Sequence, residues 1–413
     1  MALRPHIVHL EQASHLPGWR RPLPLLLLMA VAMPIAFSTW SALLNNFVIE
    51  AAAFDGADIG LLHTVREIPG FLAIGVIAII LVMREQVLGL VSLILLGAAT
   101  AVTAQFPQLT GILLLTFLSS VGFHYFETVN QSLQLQWIAK DRAPQTLGWL
   151  LAAGSAATFV VYFVILILWE PLSLSFHSVY MVGGGITVLL AGFALVAYPQ
   201  FETPNRQVKR MILRKRYWLY YALQFFAGAR RQIFVVFAGF MMVEKFGFGV
   251  HDIAALLLIT LVVNMAVAPV LGHIVARFGE RNALAFEYAG LVLVFLSYAG
   301  VYYFDWSFAV AAALYVIDHI FFGLALALKT YFQKIGDPEH MAPTAAVAFT
   351  INHIAAVFLP VLLGLIWLVS PAVVFFLAAG LASGSLALAL CIPRRPHPGH
   401  ETVFARPLVA PAE

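Results

Sequence analysis

Charge is what this chain has least of. Asp, Glu, Lys and Arg make up 10% of the 413 residues, against 62% hydrophobic, and the mean hydropathy is +0.92. A soluble domain carries about 25% charged and 45–50% apolar residues. One water-facing core is therefore excluded, and lipid must be the solvent for most of the surface. The net charge of +3 is too small to suggest a nucleic-acid partner. Cysteine is scarce too: Cys391 stands alone, which excludes an internal disulfide. A G-x-x-x-x-G-K-[ST] phosphate loop is missing, which disfavours ATP-driven transport, and nothing reads as a soluble catalytic domain. Neither an enzyme nor a resident cofactor is expected. The triplet Gly183–Gly184–Gly185 lies inside an apolar run and reads as a close-packing site.

What the chain has is long apolar runs. A membrane helix needs about 20 mainly apolar residues, and twelve such runs are found. The first six cover about residues 23–48, 58–83, 86–105, 109–136, 146–169 and 175–198. The second six cover about residues 217–242, 250–275, 282–304, 307–334, 343–369 and 371–392. The first run continues well past a signal-peptide core of roughly 7–15 residues, so it reads as a retained helix. The expected fold is an all-α integral membrane protein of twelve spans in two six-helix bundles. The divisions are an N-terminal segment (1–22), a first bundle (23–200), a basic linker (201–216), a second bundle (217–392) and a Pro-rich, disordered tail (393–413).

Lys and Arg gather on the cytoplasmic side of short loops. Arg4, Arg20, Arg21, Arg84, Lys140, Arg142, Arg206, Lys209, Arg210, Arg214, Lys215, Arg216, Arg277, Arg281, Lys334, Arg394, Arg395 and Arg406 all fall on one side if the N-terminus is inside. The opposite loops carry Lys245 as their basic residue, with Glu50, Asp55, Asp58, Glu170, Asp252 and Asp305. Both termini are thus expected in the cytoplasm.

A charge at mid-helix costs about 2.5–3.5 kcal/mol on insertion scales, so those that persist face a cavity or a partner. Span 4 holds His124, Glu127, Asn130 and Gln131; span 7 holds Arg230 and Arg231; span 10 holds Asp318 and His319; span 11 holds Asn352 and His353. Span 1 offers uncharged groups, among them Asn45 and Asn46, and span 2 has Arg66 and Glu67 ahead of Pro69. Glu287 is placed near the cytoplasmic end of span 9.

Two halves of six spans around a basic loop resemble the major facilitator superfamily, over nearly the whole chain. The loop Gly272–Arg281, "GHIVARFGER", is similar to that family's G-x-x-x-D-R-x-G-R/K-R/K signature at Gly272, Arg277, Gly279 and Arg281, with Ala276 in the acidic position and Glu280 where a cation is usual. The resemblance implies alternating access, with spans 1, 4, 7 and 10 lining a central cavity and spans 3, 6, 9 and 12 supporting it.

The residues then take candidate roles. A guanidinium fork suits a carboxylate or phosphate, so Arg230 and Arg231, with Asn45, Gln131 and Asn352, form the expected substrate set. The competing structural reading pairs an arginine with Glu127 or Asp318. Histidine beside a carboxylate suits proton carriage, which assigns coupling to His124, Glu127, Asp318, His319 and His353. Arg66, Glu67, Gly272, Arg277 and Arg281 are the gating candidates, against local tethering and ordinary positive-inside anchoring. The expected activity is secondary transport of a small organic anion with protons, by a monomer in a bacterial inner membrane. One alternative is a divalent transition metal or metal complex held by His124, Glu127, Asp318, His319 and His353; another is a membrane scaffold or receptor that moves nothing.

Overall fold

The structure, a computed structural model, describes residues 7–72, 75–80, 82–138, 143–202, 213–337 and 341–405. Most of the expected linker, together with Arg4, Lys140, Arg142 and Arg406, lies outside these residues. The described chain is almost wholly helical, as it must be in lipid, where every backbone N–H and C=O needs an internal partner. The helices are α1 (Pro22–Ala52), α2 (Gly56–Phe71), α3 (Gly75–Ile80), α4 (Glu85–Val102), α5 (Leu109–Trp137), α6 (Ala143–Leu168) and α7 (Phe176–Ala197). They continue as α8 (Trp218–Gln232), α9 (Gly239–Glu244), α10 (Val250–Tyr303), α11 (Phe308–Gly323), α12 (Leu326–Ile335), α13 (Met341–Val369) and α14 (Pro371–Leu390).

Among the described residues, ten helical segments are long and apolar enough to cross a membrane. The difference from twelve has two local causes. The run expected as span 2 is divided into α2, of 16 residues and containing Pro69, and the six-residue α3. Spans 8 and 9 are joined in α10, whose 54 residues would reach about 80 Å as one rod, far beyond a bilayer core of about 30 Å. Its continuity fails at Gly279, where φ is 79° and ψ is 164°. Glycine alone takes that conformation without strain.

The chain divides into two compact units. The first comprises residues 1–54, 65–208 and 248–258, and the second residues 55–64, 209–247 and 259–413. In the first, α4 packs on α5 and α7, and α1 packs on α6 and α7. Lipid tails are as apolar as leucine, so helices associate in a membrane by close packing, and small residues permit it. Gly97 faces the Gly184 backbone, and Gly122 faces the backbone of Ser92 and Leu96; a Cβ at any of these positions would collide. In the second unit, α8 packs on α13 and α14. There Gly228 meets the Asn352 backbone, and Gly60 of α2 meets that of Pro360 in α13.

Both ends of the described chain are anchored. Strand β1 (Ile7–His9) pairs in parallel with β2 (Gln200–Glu202). The buried amide of Gln86 fixes this ribbon: its nitrogen donates to Pro199 O at 2.9 Å, and its oxygen accepts from Phe201 N at 3.0 Å. The tail, expected from its prolines to lack order, is folded as far as residue 405. Glu401 and Thr402 are buried, Tyr331 Oη donates to Glu401 O at 2.6 Å, and Arg216 Nε lies 3.8 Å from the Glu401 carboxylate. Val403 N also bonds Cys391 O at 2.9 Å. Composition misleads here because one buried acid and one phenol suffice to hold a short irregular segment.

Candidate functional site

Each unit contains its own polar centre. In the first unit, α2 and α5 bring Arg66, Glu67, Ser120 and His124 together beside α1. Arg66 Nη2 lies 2.6 Å from Glu67 Oε1, with Glu67 almost wholly buried. The guanidinium also stands over the Trp40 ring, 5.5 Å from its centroid. Ser120 Oγ donates to the Arg66 carbonyl and lies 2.9 Å from His124 Nδ1. An oxygen of Glu67 lies within 4.8 Å of a His124 ring nitrogen.

Arg66, Ser120 and His124 border a pocket whose empty space, counted with the part open to solvent, is about 320 Å³. Phe37, Trp40 and Phe123 give it aromatic walls; Thr116, Ser119, Ser120, Arg66 and His124 also line it, and the surface it exposes is almost wholly apolar. Phe37 and Phe123 stack at 4.9 Å. The aromatic walls suit a flat ring, because rings bury large areas against one another, and Arg66 stands at the border of that space. Arg66 and Glu67, read from sequence as a gate apart from the coupling set, share this centre with His124. Glu127, one turn further along α5, is half-buried, and Gln131 is exposed. Asn45 is half-buried, with its side-chain oxygen lacking a hydrogen bond, while Asn46 donates to Phe248 O at 2.7 Å.

In the second unit the central cation is Arg230, 4% exposed. Its ion-pair partner differs from both expected ones. Nη1 lies 3.5 Å from Glu287 Oε1, and the guanidinium carbon stands 4.3 Å from the centroid of the Tyr288 ring. Asp318, also buried, interacts electrostatically with both Arg230 and Glu287. Glu287 was placed too close to a helix end by sequence. Counting from the break at Gly279 instead puts it two turns inside, about 12 Å along the axis, and that count was the available signal.

The pair is loosely held. Glu287 Oε1 and Oε2, Asp318 Oδ2, Arg230 Nε and Nη1, both amide atoms of Gln232 and Tyr298 Oη are all buried without a hydrogen bond. Arg231, about 100° around the helix, is half-buried. Directly beyond them, Ile233–Ala238 form a π-helix between α8 and α9. Such turns are uncommon and often mark functional sites.

The three central histidines share one local device. His124, His319 and His353 place Nδ1 at 3.0, 2.9 and 2.8 Å from the carbonyls of Ser120, Tyr315 and Phe349, four residues back. A carbonyl only accepts, so Nδ1 carries the hydrogen and Nε2 presents the lone pair. His319 is packed against Phe234 and Tyr315, with centroids 4.2 and 4.7 Å away. Asn352 Nδ2 donates to Gln224 O at 3.1 Å, which ties α13 to α8. Among the described residues, neither unit by itself brings three of the five proposed metal ligands within ligating distance.

At the signature loop, Glu280, the acid that replaces a cation, is buried and paired with Lys334 of α12 at 2.7 Å. Arg277 is exposed beside Phe278, Arg281 is half-buried, and a side chain at Gly272 would meet open space.

A family model described as Major Facilitator Superfamily matches residues 25–360. The chain belongs to the major facilitator superfamily. Solved structures of superfamily transporters agree in fold. A point mutant of the nucleoside transporter NupG aligns at a TM-score of 0.74 and 13% identity, covering 90% of this chain and 99% of that one. NupG without that mutation aligns at 0.70 and 15%, covering 89% and 98%. A bacterial homolog of the human lysosomal transporter Spinster, in an inward-facing and occupied conformation, aligns at 0.63 and 12%, covering 89% and 93%. No curated protein sequence matches the chain. Membership makes this superfamily protein a multi-pass membrane protein with a transporter fold, and superfamily transporters carry small-molecule solutes.

Proposed function

We propose that this superfamily member is a secondary transporter that moves a small, ring-bearing organic anion together with a proton by alternating access. The observation that carries the reading is the first unit's pocket, where Arg66, Glu67 and His124 meet beside aromatic walls. The reading includes twelve crossings, cytoplasmic termini, and a monomer in a bacterial inner membrane, in keeping with the one-sided distribution of Lys and Arg.

The mechanism is an exchange of partners. At rest, Glu67 neutralises Arg66. An incoming anion takes the guanidinium, and the buried Glu67 carboxylate gives up the 2.6 Å contact with Arg66. A proton arriving through His124 Nε2 restores neutrality. The solute and one proton therefore travel together, and neither crosses alone without leaving a buried, unbalanced charge, which is strongly unfavourable.

A second reading is supported by the 2.6 Å Arg66–Glu67 contact itself. A cation already neutralised suits an uncharged ring-bearing solute such as a nucleoside, the class named for NupG.

Benzenesulfonate and uridine separate the two. Benzenesulfonate is permanently anionic, so no proton can ride on it across the bilayer. Full-length protein in proteoliposomes should accumulate labelled benzenesulfonate when the outside is acid. Arg66→Ala should abolish that uptake, and Glu67→Gln should leave exchange that no longer responds to pH. Uridine uptake without benzenesulfonate uptake would favour the second reading. Benzenesulfonate accumulation that persists in Arg66→Ala would overturn the first.

A further inference from the structure

The second unit's polar centre has a charge balance of its own. It contains one guanidinium, Arg230, and two carboxyls, Glu287 and Asp318, each more than nine-tenths buried. Fully ionised, the three leave one uncompensated negative charge away from water. Among the described residues no other Lys, Arg, Asp or Glu pairs with the three: α10 contributes the phenols of Tyr288 and Tyr298, α11 contributes Tyr315 and His319, and α13, which packs on α8, carries the buried His353. His319 is enclosed by aromatic rings, and its Nδ1 is committed to Tyr315. Arg231 is adjacent in sequence and points about 100° away.

Independent of the acids, two further groups call for a ligand. Tyr298 Oη is fully buried, has no hydrogen-bond partner, and interacts electrostatically with Asp318. The amide of Gln232, two residues beyond Arg230, is likewise fully buried and unpartnered at both atoms. Buried polar groups are nearly always satisfied, so these orphaned donors and acceptors mark a centre whose hydrogen bonding changes when a proton or a group arrives.

We infer that Arg230, Glu287 and Asp318 form a second proton site, separate from the pocket of the first unit, which holds one proton on a carboxyl shared by a single guanidinium. Its new member is Glu287, on a part of the chain expected to serve as peripheral support. The π-helix at Ile233–Ala238 gives α8 a soft joint next to Arg230. A small shift there would move the guanidinium from one acid to the other and release the proton.

The inference extends the proton-coupled reading, and its test needs no transported solute, so the two can fail separately. Infrared spectra of the full chain in bilayers at neutral pH should show a protonated carboxyl C=O band that shifts in heavy water. Asp318→Asn leaves one cation and one anion, and so does Glu287→Gln. Each should lose one carboxyl's worth of amplitude. Arg230→Gln should gain the same amount, because two unpaired acids then each take a proton. Asp252→Asn, at an exposed acid outside the cluster, should change nothing. A merely structural ion pair gives no such band. A wild-type spectrum without it, or an amplitude unchanged in both Asp318→Asn and Glu287→Gln, would overturn the proposal. Both variants preserve shape, and if one misfolds the other decides.

Discussion

Arg230→Met should destabilise the protein by about 3–5 kcal/mol, whereas Arg230→Met combined with Glu287→Leu should recover much of that loss. At the observed separation of 3.5 Å, two unit charges attract by about 5 kcal/mol with an effective dielectric constant near 20. That attraction offsets desolvation penalties of several kcal/mol per ion, so the pair as a whole contributes little. Removing Arg230 alone forfeits the attraction and forces Glu287, buried without its counter-charge, to take up a proton at a cost in stability. Removing both deletes the attraction and both penalties, and leaves Asp318 to be neutralised by a proton. The four-protein cycle should therefore show a coupling energy of about 2–3 kcal/mol, near the top of the range for contacting residues. Reversible unfolding in mixed micelles, followed by circular dichroism and tryptophan fluorescence, measures it. Effects that add to within about 0.5 kcal/mol would refute the reasoning, since additivity means the charges do not sense each other.

Two further tests address packing and the loop. Gly228→Ala should destabilise by about 1–3 kcal/mol, the range for overpacking, because its Cβ would strike the Asn352 backbone; Gly192→Ala, with open space around it, should be silent in the same unfolding assay. Glu280→Lys should lower thermal stability by setting two cations together, and adding Lys334→Glu should restore it, because the reversed pair fits the same 2.7 Å contact; a double variant no more stable than the single one would argue against the pair.

The membrane class was legible in the sequence for a direct physical reason. Lipid demands long apolar runs with internal hydrogen bonds, and those runs survive in composition without any knowledge of packing. The polar centres were legible as lists of residues more than as groupings. His124 stood out on its helix, but its closeness to Glu67 depends on how α2 lies against α5, which no spacing within one helix encodes. Arg230 and Arg231 stand out as adjacent cations, but Glu287 reads as peripheral when span 9 is started at residue 282, three residues past the break at Gly279. The order of residues 393–405 was hidden because it depends on Arg216 and Tyr331, far away in sequence. The π-helix after Gln232 leaves no mark in a run as uniform as "IFVVFA".

The small ribbon of β1 and β2 sets a clock on synthesis. Ile7 leaves the ribosome among the first residues, yet its partner Gln200 is made only after six further helical elements, α1–α7 less the short α3. At about 5–20 residues per second, the strand must wait roughly 10–40 s, and Gln86 waits with it for Pro199 and Phe201. The ribbon therefore cannot close until helices α1–α7 have all been made. It acts as a latch that registers completion of the first half, just before the second half enters the bilayer.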